Sequence, residues 1–159
     1  MNLAKGTDAV VQLVDDLEYA LAIVRVKAQQ SLGLTLRKAK VEIEFSATET
    51  KKTGGKLEFG ISLDASIKRE RGHTHILSLI LEPGPQAGKL DGDEAHDLAE
   101  SILAIAALRT KVAAKSKEFK VGDMELEVHF ARKTSGGLQI VFGGEGESEN
   151  TQKVTLSFR

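Results

Sequence analysis

The chain has 159 residues, 22 basic and 23 acidic side chains, a formal net charge of −1 and no cysteine. That balance gives no global attraction to nucleic acid or to an acidic membrane surface. Lack of cysteine excludes disulfides, thiolate metal sites and cysteine nucleophiles, and suits a reducing, cytoplasmic setting. The longest apolar run, Ile102 to Leu108, falls far short of the roughly 20 residues a bilayer span needs, and polar Lys5-Gly6-Thr7-Asp8 stands where a signal peptide would need its apolar stretch.

In chain order, a first helix is expected from Thr7, whose hydroxyl would cap free backbone N–H groups, with Asp8 set against the positive end of the helix dipole. Val10, Leu13, Leu17, Leu21 and Val24 recur at three- and four-residue spacing and make one apolar stripe, widened by Val14, Ile23 and Val26. A short strand at Leu34–Leu36 leads to Val41-Glu42-Ile43-Glu44-Phe45, whose alternation marks a half-buried strand. Gly54-Gly55 supplies a hairpin, Leu57-Phe59-Ile61-Leu63 the next strand, and Thr74 to Leu81 a closing one.

Glu82 to Lys89 holds the chain's two prolines with two glycines and reads as a linker. A second helix follows, with Asp91 and Glu94 spaced as a capping box and Leu98, Ile102, Ile105, Leu108 and Val112 along it. Its middle, Ile102 to Leu108, is apolar nearly all round, which predicts cover on more than one side. Phe119–Val121, Met124 to Phe130, Gly136-Gly137, Leu138-Ile140-Phe142 and Thr151 to Phe158 then repeat the pattern of the first half.

The halves align residue by residue. Asp8, Leu13, Leu17, Ala22 and Ala28 fall on Asp93, Leu98, Ile102, Ala107 and Ala113, a shift of 85 that also lays Val41 to Phe45 on Leu126 to Phe130. By the last strand the shift is 77, placing Leu77, Leu79 and Leu81 on Val154, Leu156 and Phe158. The gaps fall in loops, where insertions are tolerated. A half of this size would bury only about 60% of its unfolded surface alone, so the halves gain by sharing a core.

The order of capped helix, polar break, Val41 to Phe45, Gly54-Gly55-Lys56-Leu57-Glu58-Phe59 and Thr74 to Pro83 resembles the bacterial trypsin-co-occurring domain of the second type. The second half is similar through Phe119 to Val128, Gly136-Gly137-Leu138 and Thr151 to Leu156. The chain departs from the usual single-copy pattern, lacks Trp and has Leu57 where the family would carry an aromatic. The resemblance implies an accessory role: an adaptor in a bacterial conflict or defence system, paired in trans with a trypsin-like serine peptidase.

Candidate chemistry is sparse. His73 and His75, two apart on a strand, share a face and would offer two imidazoles to a metal, with His129 as a third ligand. Their counterparts in the second half are Asn150 and Gln152, and Glu44 stands at the counterpart of His129, so surface histidines are the expectation. No Gly-x-Ser-x-Gly nucleophile setting occurs, and His96, beside Asp93 and Asp97, has Val11 as its counterpart. Gly143-Gly144-Glu145-Gly146 precedes no helix and reads as a hairpin loop rather than a phosphate cradle. Lys111, Lys115, Lys117 and Lys120, like Arg37, Lys38 and Lys40, read as charge compensation at helix exits, without the interleaved aromatics of a nucleic-acid platform. The loops before the closing strands differ in sign: Lys68, Arg69, Arg71 and His73 in the first, Glu145, Glu147 and Glu149 in the second. These are the candidate interaction loops, able to pair between molecules or to steer two partners.

The expectation is thus an α+β protein of two tandem repeats, residues 1–83 and 93–159 joined by a linker at 84–92. Each repeat is one helix followed by a three- to four-stranded antiparallel sheet, and the helices pack together. The function expected is a non-catalytic adaptor for a protein partner, with no cofactor, metal, nucleic acid or membrane and with homo-oligomers allowed. The alternative is a small-molecule or peptide-binding module with its site between the repeats.

Overall fold

A computed structural model describes residues 6–53, 56–63, 74–85, 93–133, 136–141 and 151–159. The elements are helix α1 (Thr7–Lys27), strands β1 (Leu36–Thr53), β2 (Lys56–Ser62) and β3 (His75–Leu81), helix α2 (Asp93–Lys115), and strands β4 (Met124–Arg132), β5 (Leu138–Ile140) and β6 (Gln152–Phe158). The class is α+β, with two α-helices on an antiparallel sheet among the described residues.

Helix α1 starts at Thr7 as expected, but its cap differs. Gly6, not a side chain, occupies the cap position with φ 85°, Thr7 is already helical, and the Ala9 N–H reaches the Gly6 carbonyl at 3.3 Å. Gly6 also lies against the backbone carbonyl of Ile61, where a Cβ would have no room. Both the positive φ and this close approach require glycine. The other end of α1 widens into a π-helical turn, Ala28–Leu32, closed by Gly33 at φ 64° and by the Leu34 N–H on the Ala28 carbonyl at 3.0 Å. Asp91, the expected cap of the second helix, lies outside the described residues.

The strands form one sheet rather than one sheet per half. On the inner part of β1, Val41 faces Leu79 of β3 on one side and Val154 of β6 on the other. Strand β6 in turn pairs with β4, and β4 with β5, while β2 takes the outer part of β1. The physical reason is the edge of β1: joining β6 to it satisfies two rows of backbone groups that separate sheets would leave open. Having partners at both ends also explains why β1 runs through the polar stretch after Phe45, which apolar alternation alone did not mark.

Pairing registers recur. Ala39, Val41 and Ile43 face Leu81, Leu79 and Leu77. Met124, Leu126 and Val128 face Phe158, Leu156 and Val154. The Ala47–Ile61 pair of β1 and β2 has its counterpart in Arg132–Leu138 of β4 and β5. Gly136 and Gly137 have φ of 98° and 79°, as a tight hairpin before β5 requires; Gly54 and Gly55 lie outside the described residues.

One core serves both halves. Leu13, Leu17, Val24, Leu98 and Ile102 of the helices close on Val41, Ile43, Phe130, Val154, Leu156 and Phe158 of the sheet. Helix α2 is covered less fully than its apolar middle predicts: Leu98, Ile102 and Ala106 are buried, whereas Leu108 and Val112 stay exposed.

Candidate interaction surfaces

The two-residue period of the strands gives the sheet one face against the helices and one outward face of opposite chemistry. On the outward face Glu42 lies 3.7 Å from Lys40 and 3.4 Å from Lys153, and Lys153 lies 3.7 Å from Glu127, which is 3.4 Å from His129. Lys40, Glu42, Glu127 and Lys153, with Ile80, line a shallow concavity of about 360 Å³. Exposed pairs of this kind contribute only about 0–1 kcal/mol each. They keep the centre of the face hydrated and balanced in charge.

Strand β3 breaks that pattern. Ile76 and Ile80, opposite Glu44 and Lys40, point outward and are exposed, with Ser78 between them. Leu77 points toward the helix side and is also exposed, while Leu79 and Leu81 reach the core margin. One edge of β3 is hydrogen-bonded to β1, and no described strand pairs with the other. An apolar edge strand of this kind is a template for pairing with another chain. At the foot of β3 a groove of about 300 Å³ runs between α1 and the sheet, floored by Leu21, Leu36 and Leu81 and flanked by Glu18, Arg25 and Glu82.

The interaction loops of the sequence, Lys68, Arg69, Arg71 and His73 with Glu145, Glu147 and Glu149, lie outside the described residues. His75 stacks on Phe45 with ring centroids 5.6 Å apart, on the helix side of the sheet, whereas His129 faces outward beside Glu127. The structure therefore does not bring those two imidazoles together, and no metal-sized cluster of His, Asp or Glu occurs among the described residues. Asp97 pairs with Lys133, and Asp16 of α1 with Arg132 at 2.7 Å, tying both helices to the end of β4. Lys111, Lys115, Lys117 and Lys120 are exposed. No described helix is long and apolar enough to cross a membrane.

Two residues that matter here were not legible as sites. Gln152 is buried and its side-chain amide bonds the backbone of Glu44. Arg109 reaches the carbonyls of Val121 and Gly122 at 2.7 to 3.1 Å, holding the segment before β4 against α2. Arg109 carried one sequence signal: Val24 is its counterpart in the first half, so a charge replaces a core residue.

Residues 7–83 match the family model of trypsin-co-occurring domain 2. Neither the curated proteins nor the solved structures hold a match to the chain. The matched segment contains α1 and β1 to β3, and so includes the exposed edge strand and all of the groove at its foot but Gly84.

Proposed function

We propose that this chain is a non-catalytic adaptor built from two copies of one helix-plus-three-strand module and that it acts beside a trypsin-like peptidase supplied in trans. The observation that carries the reading is the coincidence of the trypsin-co-occurring match with an apolar edge strand, since β3 lies within residues 7–83. Support for duplication comes from the common pairing register of β1 with β3 and of β4 with β6. Copies that share fold-determining positions while differing at Gln152 against His75, or Arg109 against Val24, fit a scaffold with diversified faces better than a doubled active site.

A tagged chain expressed in its native host tests the proposal. Co-purification of a trypsin-like peptidase, lost when Ile76 and Ile80 are both replaced by Lys, is the expected result. Recovery of the chain without any peptidase would remove the peptidase link. The second reading, a binding module for a small molecule or peptide, draws on the groove at the foot of β3. Its lining runs from Glu18 to Ala39 and from Leu81 to Gly84, so a ligand there would sit on the first half rather than between the halves.

A further inference from the structure

We propose that copies of this chain associate head to tail, the outer edge of β3 in one copy pairing with the edge of β4 in the next. The inference rests on the reading of the chain as two copies of one module. Its template is the internal joint, where β6 is bonded to β4 on one edge and to β1 of the other half on the second.

Each end of the molecule repeats one side of that joint. Strand β3 is the counterpart of β6 and has β1 on one edge, with no described strand on the other. Strand β4 is the counterpart of β1. Its one edge carries β6, while on the other β5 begins only at Phe130, followed by the Val141 N–H on the His129 carbonyl at 2.8 Å. Met124 to Val128 have no strand neighbour there among the described residues.

Side-chain burial follows the same logic. Ile23 in the shared core and Leu34 beside the Thr35–Arg159 pair are 2% and 1% exposed, whereas their counterparts Leu108 and Phe119 are 55% and 80% exposed. On the opposing side Val154 is fully buried, and its counterpart Leu77 is 37% exposed. The exposed apolar groups at the two ends are thus counterparts of residues that are buried inside the molecule, as expected of a repeat array without its next member.

Transferring the internal register gives the contact. Ala39–Leu156 and Val41–Val154 become Met124–Leu79 and Leu126–Leu77 across the two copies. The Thr35–Arg159 pair, which exchanges two 2.8 Å backbone bonds, becomes Lys120 beside Glu82, a pair of opposite charge. Arg109 already fixes the segment leading into β4, which lowers the ordering cost of docking. Because the two surfaces differ, the contact is heterologous and propagates into chains or closes into a ring.

A cysteine-free chain makes the test direct. Lys40 and Thr155 face each other in the internal joint, so the transferred register sets Glu125 of one copy opposite Ser78 of another. Single variants Ser78→Cys and Glu125→Cys, mixed under mild oxidation, are expected to give a disulfide-linked pair that neither yields alone, and the double variant a ladder or closed ring. Sedimentation of the unmodified chain should show mass rising with concentration, reversed by Phe119→Asp. A chain that stays monomeric to its solubility limit with no mixed cross-link overturns the proposal, as does Ser78→Cys dimerising with itself, which would mean a twofold β3-to-β3 contact. A Lys40→Cys/Thr155→Cys variant, expected to close an internal disulfide, separates the failures. If it closes and the mixed pair does not form, self-association falls and the module stands; if it does not close, the module reading falls with it.

Discussion

Gln152 completes the ladder between β1 and β6 with its side chain. Its Oε1 accepts the Glu44 N–H at 2.6 Å and its Nε2 donates to the Glu44 carbonyl at 3.0 Å. The backbone pairing of the two strands reaches Glu42–Lys153, so the amide acts as one further rung between residues 108 apart in sequence. Replacing Gln152 by Leu keeps the volume but leaves one donor and one acceptor unpaired in a partly buried place. The expected loss is about 1–3 kcal/mol in urea unfolding, with Gln152→Glu also destabilised because it removes the donor. An unchanged midpoint for Gln152→Leu would show the amide to be dispensable.

Gly6→Ala should be disproportionately costly for a residue at the start of the described chain. The φ of 85° and the Ile61 carbonyl both act against a Cβ, so the loss should exceed about 1 kcal/mol. Thr7→Ala, by contrast, should leave the thermal midpoint nearly unchanged, since no side-chain capping bond is present.

Helix α2 offers a paired comparison of two similar side chains. Ile102 is fully buried and Leu108 largely exposed, so Ile102→Ala should cost about 2–5 kcal/mol. In dilute protein Leu108→Ala should stay within about 0.5 kcal/mol. Denaturation curves for the two variants check the one-sided cover of the helix; equal losses would contradict it.

Arg109→Ala should release the segment before β4. Three contacts to the Val121 and Gly122 carbonyls vanish, each worth about 1 kcal/mol or somewhat more for a charged donor. Faster cleavage after Lys117 and Lys120 by a lysine-specific protease is the expected readout, with little change at Lys38.

Much of this was legible in the residues. The stripe of Leu13, Leu17, Leu21 and Val24 and the alternation of Val41, Ile43, Val128 and Phe130 found their buried faces, because periodicity records which side of an element meets the core. The start of α1 at Thr7 was legible but its cap was not, since a left-handed glycine against a carbonyl leaves no trace in side-chain pattern. Strand β1 extended beyond its apolar core because hydrogen bonds from β2 hold it, and ladder bonds make no demand on side-chain polarity. Gln152 looked like the loss of a ligand; it is a backbone substitute whose partner lies in the other half.

By itself the sequence determined the α+β class and the buried faces of β1, β4 and β6, which follow from local spacing. Only the tertiary structure decided that the halves share one sheet, that β6 rather than β3 is enclosed, and that β3, Leu108 and Phe119 remain at the surface. The physical reason is that strand neighbours are chosen by backbone groups common to every residue. Two strands with nearly the same pattern differ because β6 has β1 and β4 as neighbours, whereas β3 has only β1 among the described strands.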